Sequence, residues 1–356
     1  MHQTNKSTER ELYLQKRERM RIHHYPLKAG ITRTPEFEKK GLATHAVNVG
    51  TKCSQGCLYC NTGAVLRMHQ SFRDCGEDPF ACGYAIVDPS TPKRVARDAK
   101  RARKRGLVQL CTRTDGWAPG TREYRLGRRC LKAILLERGW TVRILSKSDG
   151  IADSFRLIER HRERVLVGVS ITAPLRHEAA IQVLEPHATP IIDRMLVMLE
   201  AAGRGLRTYA MFCPLLPGIA DSQASLDRLI EFAVKCRAEE IFAEPANPRG
   251  PGLRLCQEAL EQRGFLAEAK AIAAIRQRPH WSRYVVKLVS RTQRAVRKHS
   301  DISKLRFLLY PSGLSAEGRA RIERDDAGVV WLRKREASLS AIPDAVSCTS
   351  PRVERH

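Results

Sequence analysis

The chain is expected to fold as an α/β protein built from repeated strand–helix units around a parallel sheet. Three observations predict this: short β-branched runs recur along the middle of the chain, helical patterns fill the intervals, and polar or turn-forming residues follow the runs. Strands that alternate with helices form βαβ units. The polar residues after them mark the carboxyl ends, where parallel α/β folds gather functional groups.

Taken in order, strands are expected over residues 45–50, 107–114, 141–147, 164–172, 206–214 and 240–247. Helices are expected over 92–105, 122–138, 151–162, 191–204 and 222–237, with 251–278 following the last strand. Six such units suit a partial (βα)6 barrel better than a flat doubly wound sheet, although periodicity alone does not separate the two. Residues 45–278 are read as the core. Residues 1–44 form a polar, basic N-terminal extension with little apolar patterning beyond Leu12, Tyr13 and Leu14. Residues 279–332 read as a small basic α/β C-terminal extension, with a strand at 304–310, a short helix at 315–323 capped by Ser315, and a strand at 329–332. Residues 333–356 are expected to be a disordered tail.

At 356 residues and 42% hydrophobic, the chain can bury one large core with a modest extension, or two domains. It has no run of eighteen apolar residues, so no membrane span is expected. The start, Met1-His2-Gln3-Thr4-Asn5-Lys6, is polar, and the 11 cysteines are odd in number and scattered. Both features argue against a disulfide framework and for a reducing cytoplasm. With 63 Lys and Arg against 38 Asp and Glu, the net charge is +25, and a polyanion such as nucleic acid is the natural partner.

The distribution of charge singles out two segments. From Lys93 to Arg105 there are eight cations and one anion, with Val95, Ala99 and Ala102 at helical spacing. That cationic face can track phosphates or simply be solvated, and it carries no aromatic residue to stack on bases. The stretch from Trp281 to Lys298 interleaves Trp281 and Tyr284 with cations, which makes it the better nucleic-acid candidate.

The chemistry is concentrated in one loop. Cys53, Cys57 and Cys60 fall in Lys-Cys-Ser-Gln-Gly-Cys-Leu-Tyr-Cys-Asn, directly after the first strand. Three thiolates can hold three irons of a four-iron cubane, which leaves the fourth iron open to a ligand bound through nitrogen and oxygen. A structural zinc site normally takes four ligands in two close pairs, and no second Cys-x-x-Cys or His pair follows. The strand ends add Thr112, Thr114 and Asp115, then Ser146, Lys147 and Ser148, then Ser170 and Thr172, with Cys213 and Glu244 further on. The same residue types serve helix capping and turns in any α/β protein, so they count as a set rather than singly.

With Tyr59 before its last cysteine, the loop resembles the Cys-x3-Cys-x2-Cys of radical S-adenosylmethionine (SAM) enzymes. The pieces Cys111-Thr112-Arg113-Thr114-Asp115, Ser146-Lys147-Ser148, Ser170-Ile171-Thr172, Leu184-Glu185-Pro186 and Pro214-Leu215-Leu216-Pro217-Gly218 resemble the spore photoproduct lyase family and its DNA repair photolyase relatives. The resemblance spans residues 46–247. It implies an open, TIM-like partial (βα)6 barrel, a [4Fe-4S] cluster on Cys53, Cys57 and Cys60, and SAM on the open iron. Tyr59, Thr114, Lys147 and Ser170 fall at its cofactor-binding positions. It further implies a lyase-like enzyme, with reduced flavodoxin or ferredoxin as electron donor, in which SAM is cleaved and a 5′-deoxyadenosyl radical takes hydrogen from the substrate. In spore photoproduct lyase that substrate is a thymine dimer, so DNA is implied over RNA.

Cys111 is the implied hydrogen-atom donor when cysteine is aligned with cysteine. Aligning Asp115 instead places Thr112 there and turns Cys111 to the opposite face, toward the helices. Asn61 stands where the family has a tyrosine of the radical relay, and Cys213 is a reserve donor. Cys75 and Cys82, in an insertion after the first strand, can close a small loop or join an auxiliary cluster. Cys130, Cys236 and Cys256 read as core filler, and Cys348 lies in the tail. Three classes follow: a radical SAM enzyme acting on nucleic acid by lesion repair or base modification, one acting on a peptide, protein or small molecule, and a zinc-containing nucleic-acid-binding protein.

Overall fold

The computed structural model describes residues 20–39 and 41–332, so the expected tail, Cys348 and the Leu12–Leu14 patch lie outside the described residues. The strands, in chain order, are β1 (Arg21–His24), β2 (Thr32–Arg33), β3 (His45–Val47), β4 (Gly50–Lys52), β5 (Tyr84–Val87), β6 (Leu107–Leu110), β7 (Thr141–Ser146), β8 (Val165–Ser170), β9 (Arg207–Leu215), β10 (Ile241–Pro245), β11 (Leu305–Leu309) and β12 (Val329–Trp331).

Nine of them make one sheet, in the order β2-β3-β6-β7-β8-β9-β10-β11-β12. All neighbours from β3 to β12 run parallel, and β2 alone is antiparallel. Helices fill the crossovers, among them Thr91–Arg101 before β6, Leu126–Leu135 before β7, Ile191–Gly203 before β9 and Gln223–Lys235 before β10. The parallel strands lie in sequence order with no reversal, so every carboxyl end emerges along one rim. The expected mixed α/β chain with a parallel sheet is therefore what is found.

Period-two alternation divides the sheet into two faces. Val142, Ile144, Val165, Val167, Val169, Ala210, Phe212, Ile241 and Ala243 join the large core beneath the helices. The residues between them, Leu166, Tyr209, Met211, Phe242 and Leu308, form a second, smaller core on the opposite face. Gly168 makes room there: a Cβ at this position would lie 2.3 Å from the Tyr209 ring, and the Tyr209 hydroxyl reaches past it to donate to Ile144 O at 2.9 Å. Arg143, 4% exposed, is also held on this face, donating to Gly41 O and Leu42 O and pairing with Glu240.

Several elements depart from expectation. The single strand over 45–50 divides into β3 and β4, which enter different sheets: β4 pairs with β5, and β5 with β1, in a small three-stranded sheet. The insertion carrying Cys75 and Cys82 thus has order of its own, with short helices Thr62–Leu66 and Gln70–Asp74 before β5. The helix over 122–138 starts at Leu126, because Arg125 takes a left-handed backbone at φ 50°. The long pattern over 251–278 breaks into Gly252–Gln262 and Leu266–Ala274 at Gly264, whose φ of 80° no helix admits. In the C-terminal segment β11 and β12 continue the main sheet, and Ser315 caps the helix Ala316–Glu323 by accepting from Gly318 N at 3.0 Å.

One expectation is overturned. Trp281 and Tyr284, taken above as stacking residues, face inward on the helix Arg278–His299 and are 5% and 7% exposed. The Trp281 indole donates to Ala246 O at 2.8 Å, and the Tyr284 hydroxyl donates to Leu215 O. Their rings anchor the helix to the ends of β9 and β10, so they offer bases no surface.

Candidate functional site

The cysteine loop leaves β4 and folds back over the strand ends, held from three sides. From the loop after β6, Asp115 accepts from Gln55 Nε2 at 2.7 Å, and Gly120 N donates to Ser54 Oγ at 2.9 Å. From the segment after β8, Leu184 O accepts from Leu58 N at 3.0 Å, His187 N donates to Gln55 O at 3.3 Å, and Glu185 accepts from the Tyr59 hydroxyl. Gly56, at φ 65°, lets the loop turn where a Cβ would lie 3.0 Å from the His187 ring. Beside it, the Cys82 thiol donates to Gly56 O at 3.0 Å.

Cys53, Cys57 and Cys60 are free, half-buried thiols that line one cavity of about 970 Å³. Burial pushes Cys53 up to about 12, with Cys60 and Asp115 adding to the shift, and pushes Cys57 up as well, with Glu185 adding. Both shifts arise chiefly because burial disfavours the bare thiolate. Among the described residues no three His, Cys, Asp or Glu side chains are gathered as donors to a single ion. Three sulfurs that each bind a different iron of a cluster need not converge on one point. Three free thiols on one tethered loop, facing a cavity of this size, fit the donor set of such a cluster.

The same cavity collects Tyr59, Thr114, Lys147, Ser170, Cys111 and Cys213 from five separate segments. Glu185, 2% exposed, is the hub beneath them. Besides Tyr59 it accepts from Lys147 Nζ at 2.9 Å, Thr172 Oγ1 at 2.8 Å and Arg194 at 2.7 Å. Burial alone would raise its pKa, but Arg194 and Lys147 outweigh that and hold it at about 2. The Lys147 ammonium also lies 5.5 Å over the Tyr59 ring. Asp115 is a second buried acceptor, for Ser146 Oγ at 2.9 Å, Lys147 N at 2.8 Å and Trp117 N at 3.0 Å. Asn48 Oδ1 gathers the amides of Thr112, Arg113 and Thr114, while the Thr114 hydroxyl donates toward it and accepts from Val49 N at 3.1 Å. Ser170 Oγ donates to Cys213 O at 3.1 Å.

Cys111 follows β6 at φ 72° and belongs to the core cluster that contains Trp117, Leu126 and Cys130. It reaches the cavity wall, but its sulfur accepts from Gly116 N at 3.0 Å and the residue is 2% exposed. The Cys213 thiol donates to Glu244 at 3.1 Å, on the neighbouring strand β10. Sequence reasoning gave no role to Gln55, Asn48, Arg194 or Gln109. Arg194 sits in a helix whose charges read as solvent-facing, and nothing local marks it as buried. Gln109 lines the floor, 3% exposed, beside the Tyr209 hydroxyl, which donates to Ile144 O at 2.9 Å.

No family model matches the chain. An uncharacterized protein, ORF301, of Acidianus two-tailed virus is 21% identical over 220 residues, 60% of this chain and 71% of that protein. Among solved structures, a tyrosine-to-phenylalanine variant of spore photoproduct lyase matches with a TM-score of 0.50 at 14% identity, over 70% of this chain and 68% of that one. A cysteine-to-serine variant of the same enzyme gives 0.49 at 16% identity over the same shares. The fold, mixed α/β with a parallel sheet, is that of spore photoproduct lyase. No helix among the described residues is long and apolar enough to cross a membrane.

Proposed function

We propose that this chain is a radical SAM enzyme whose [4Fe-4S] cluster is held by Cys53, Cys57 and Cys60, and that it acts on nucleic acid. The observation that carries the reading is the placement of all three thiols, on one tethered loop, against a cavity walled by the strand ends. The sequential strand order supports the partial-barrel reading of the sheet. When bound, the reduced cluster and SAM together supply a 5′-deoxyadenosyl radical able to abstract hydrogen from a neighbouring substrate.

The chain's own groups have definite tasks in this reading. Glu185 keeps Tyr59 and Lys147 in place, so the wall beside the cluster loop is rigid before any cofactor arrives. Thr114, in the loop after β6, and Ser170, at the end of β8, line the cavity at the positions where the resemblance implies SAM. The apolar floor of Leu145, Met211 and Leu308 excludes water from the space in which a radical would react. Arg67, Arg113 and Arg249 are exposed at the rim and suit a polyanion, which favours nucleic acid over a neutral small molecule.

Anaerobic reconstitution followed by iron, sulfide and deoxyadenosine assays tests this reading. Wild-type protein should carry about four irons and release 5′-deoxyadenosine under reduction, and any single Cys→Ala change at the three positions should abolish both. Intact deoxyadenosine production by such a variant, or a zinc-loaded wild type inert to reductant, would sink it.

A further inference from the structure

Beside the main cavity lies a smaller one of about 270 Å³, between the end of β10, the start of the helix Arg278–His299 and the turn after β11. The two share a wall of Glu244, Pro245, Asn247, Arg249, Leu308 and Tyr310. Three arginines line the smaller one: Arg249, Arg276 and Arg278. All are exposed, and none makes an ion pair among the described residues. Arg249 is set in orientation, its guanidinium 5.4 Å over the Tyr310 ring, and Arg278 is drawn across the rim toward Ser312 O and Leu314 O at 3.3 and 3.4 Å. Arg276 is steadied by Gln257 at 3.0 Å. The floor is firm as well: Trp281 is fixed by its bond to Ala246 O, and Gly313 lies so close on its ring that a Cβ would stand 2.4 Å from it.

We propose that this second cavity is a phosphodiester subsite, which takes the backbone of a nucleic-acid strand next to the nucleotide held in the main cavity. The inference rests on the reading of the main cavity as a nucleic-acid site. Three cations against Glu244 leave the cavity positive, and guanidinium forks match phosphate geometry. Its volume of about 270 Å³ accommodates a phosphate with part of a sugar. The shared wall lets a single strand run from one cavity into the other across Arg249. The cationic helix Thr91–Arg101, which precedes β6, lines neither cavity.

The test is fluorescence anisotropy of the full chain with a labelled twelve-nucleotide single-stranded DNA, titrated over a range of salt. Arg276→Ala/Arg278→Ala should lower the slope of log affinity on log salt by about 1.4, which amounts to roughly 20-fold weaker binding near 0.1 M salt. Lys100→Ala/Arg101→Ala removes the same charge from the remote helix and should change affinity by about twofold or less, because charges beyond a Debye length are screened. Arg249→Gln, which leaves the small cavity's other walls intact, should lower the slope by about 0.7. Equal losses in the two double variants, or none in either, would overturn the subsite, as would equally tight binding of a poly-glutamate of the same length. Oligonucleotide binding by a wild type that makes no deoxyadenosine would leave the subsite standing and remove the catalytic reading. Deoxyadenosine production without salt-dependent binding would do the reverse.

Discussion

Gln55 Nε2 donates to the buried carboxylate of Asp115 at 2.7 Å, and that contact ties the cysteine loop to the turn after β6. The carboxylate also accepts from Ser146 and Lys147 at the end of β7. One anion therefore sets the relative positions of the loop and two strand ends.

Replacing it should separate loop from sheet. Asp115→Asn keeps the shape but turns one acceptor into a donor that faces N–H groups, at a cost of about 1–3 kcal/mol for the buried mismatch. We expect a melting temperature lower by several degrees and a reduced iron content after reconstitution. Gln55→Ala removes only the loop's side of the contact, so it should lower iron content with little change in melting. A wild-type melting curve for Asp115→Asn would show that the carboxylate is dispensable.

Glu185 makes stability depend on pH in a defined window. Its folded value, about 2, lies below the ordinary 4.5, so its contribution is fully present above pH 4.5 and is lost as pH falls toward 2. The shift corresponds to on the order of 3 kcal/mol at neutral pH. Glu185→Gln should lower unfolding free energy at pH 7 by about that much, since Arg194 is then left buried without its anion. Urea unfolding at pH 7 and pH 3.5 would measure both effects, and a variant that keeps the wild-type difference between them would contradict the assignment.

Gly168→Ala should be poorly tolerated although alanine favours neither less burial nor more polarity. Its Cβ would overlap the Tyr209 ring at 2.3 Å, and the ring has no free direction inside the small core. Overpacking of this kind costs about 1–3 kcal/mol or more. The double change Gly168→Ala/Tyr209→Leu should recover part of the loss in chemical denaturation. Additive losses would mean that the ring is not the obstacle.

Trp281→Ala separates the structural role of this residue from a nucleic-acid role. A fully packed tryptophan costs about 3–5 kcal/mol when truncated, so the variant should melt well below wild type. Its folded fraction, assayed at low temperature, should keep the wild-type salt slope of oligonucleotide binding, unlike Arg276→Ala/Arg278→Ala, because it removes packing and no charge. Preferential loss of binding without loss of stability would restore the surface role expected from the sequence.

Residue order alone determined the α/β alternation, the positions of the five strands β6 to β10 and the grouping of three cysteines on one loop, because each depends on patterns only a few residues long. Periodicity of apolar side chains is local, and so is the spacing of three thiols. The sequence did not disclose that Glu185 and Arg194 form a buried pair, that Gln55 is bound to Asp115, or that Trp281 faces inward. Those depend on which segments meet, and a charge or an aromatic ring reads alike in a helix whether its neighbour is water or another strand. The strand Tyr84–Val87 is illegible for a related reason: it follows the cysteine loop, its partners β1 and β4 both precede that loop, and only the assembled small sheet makes its four residues interior.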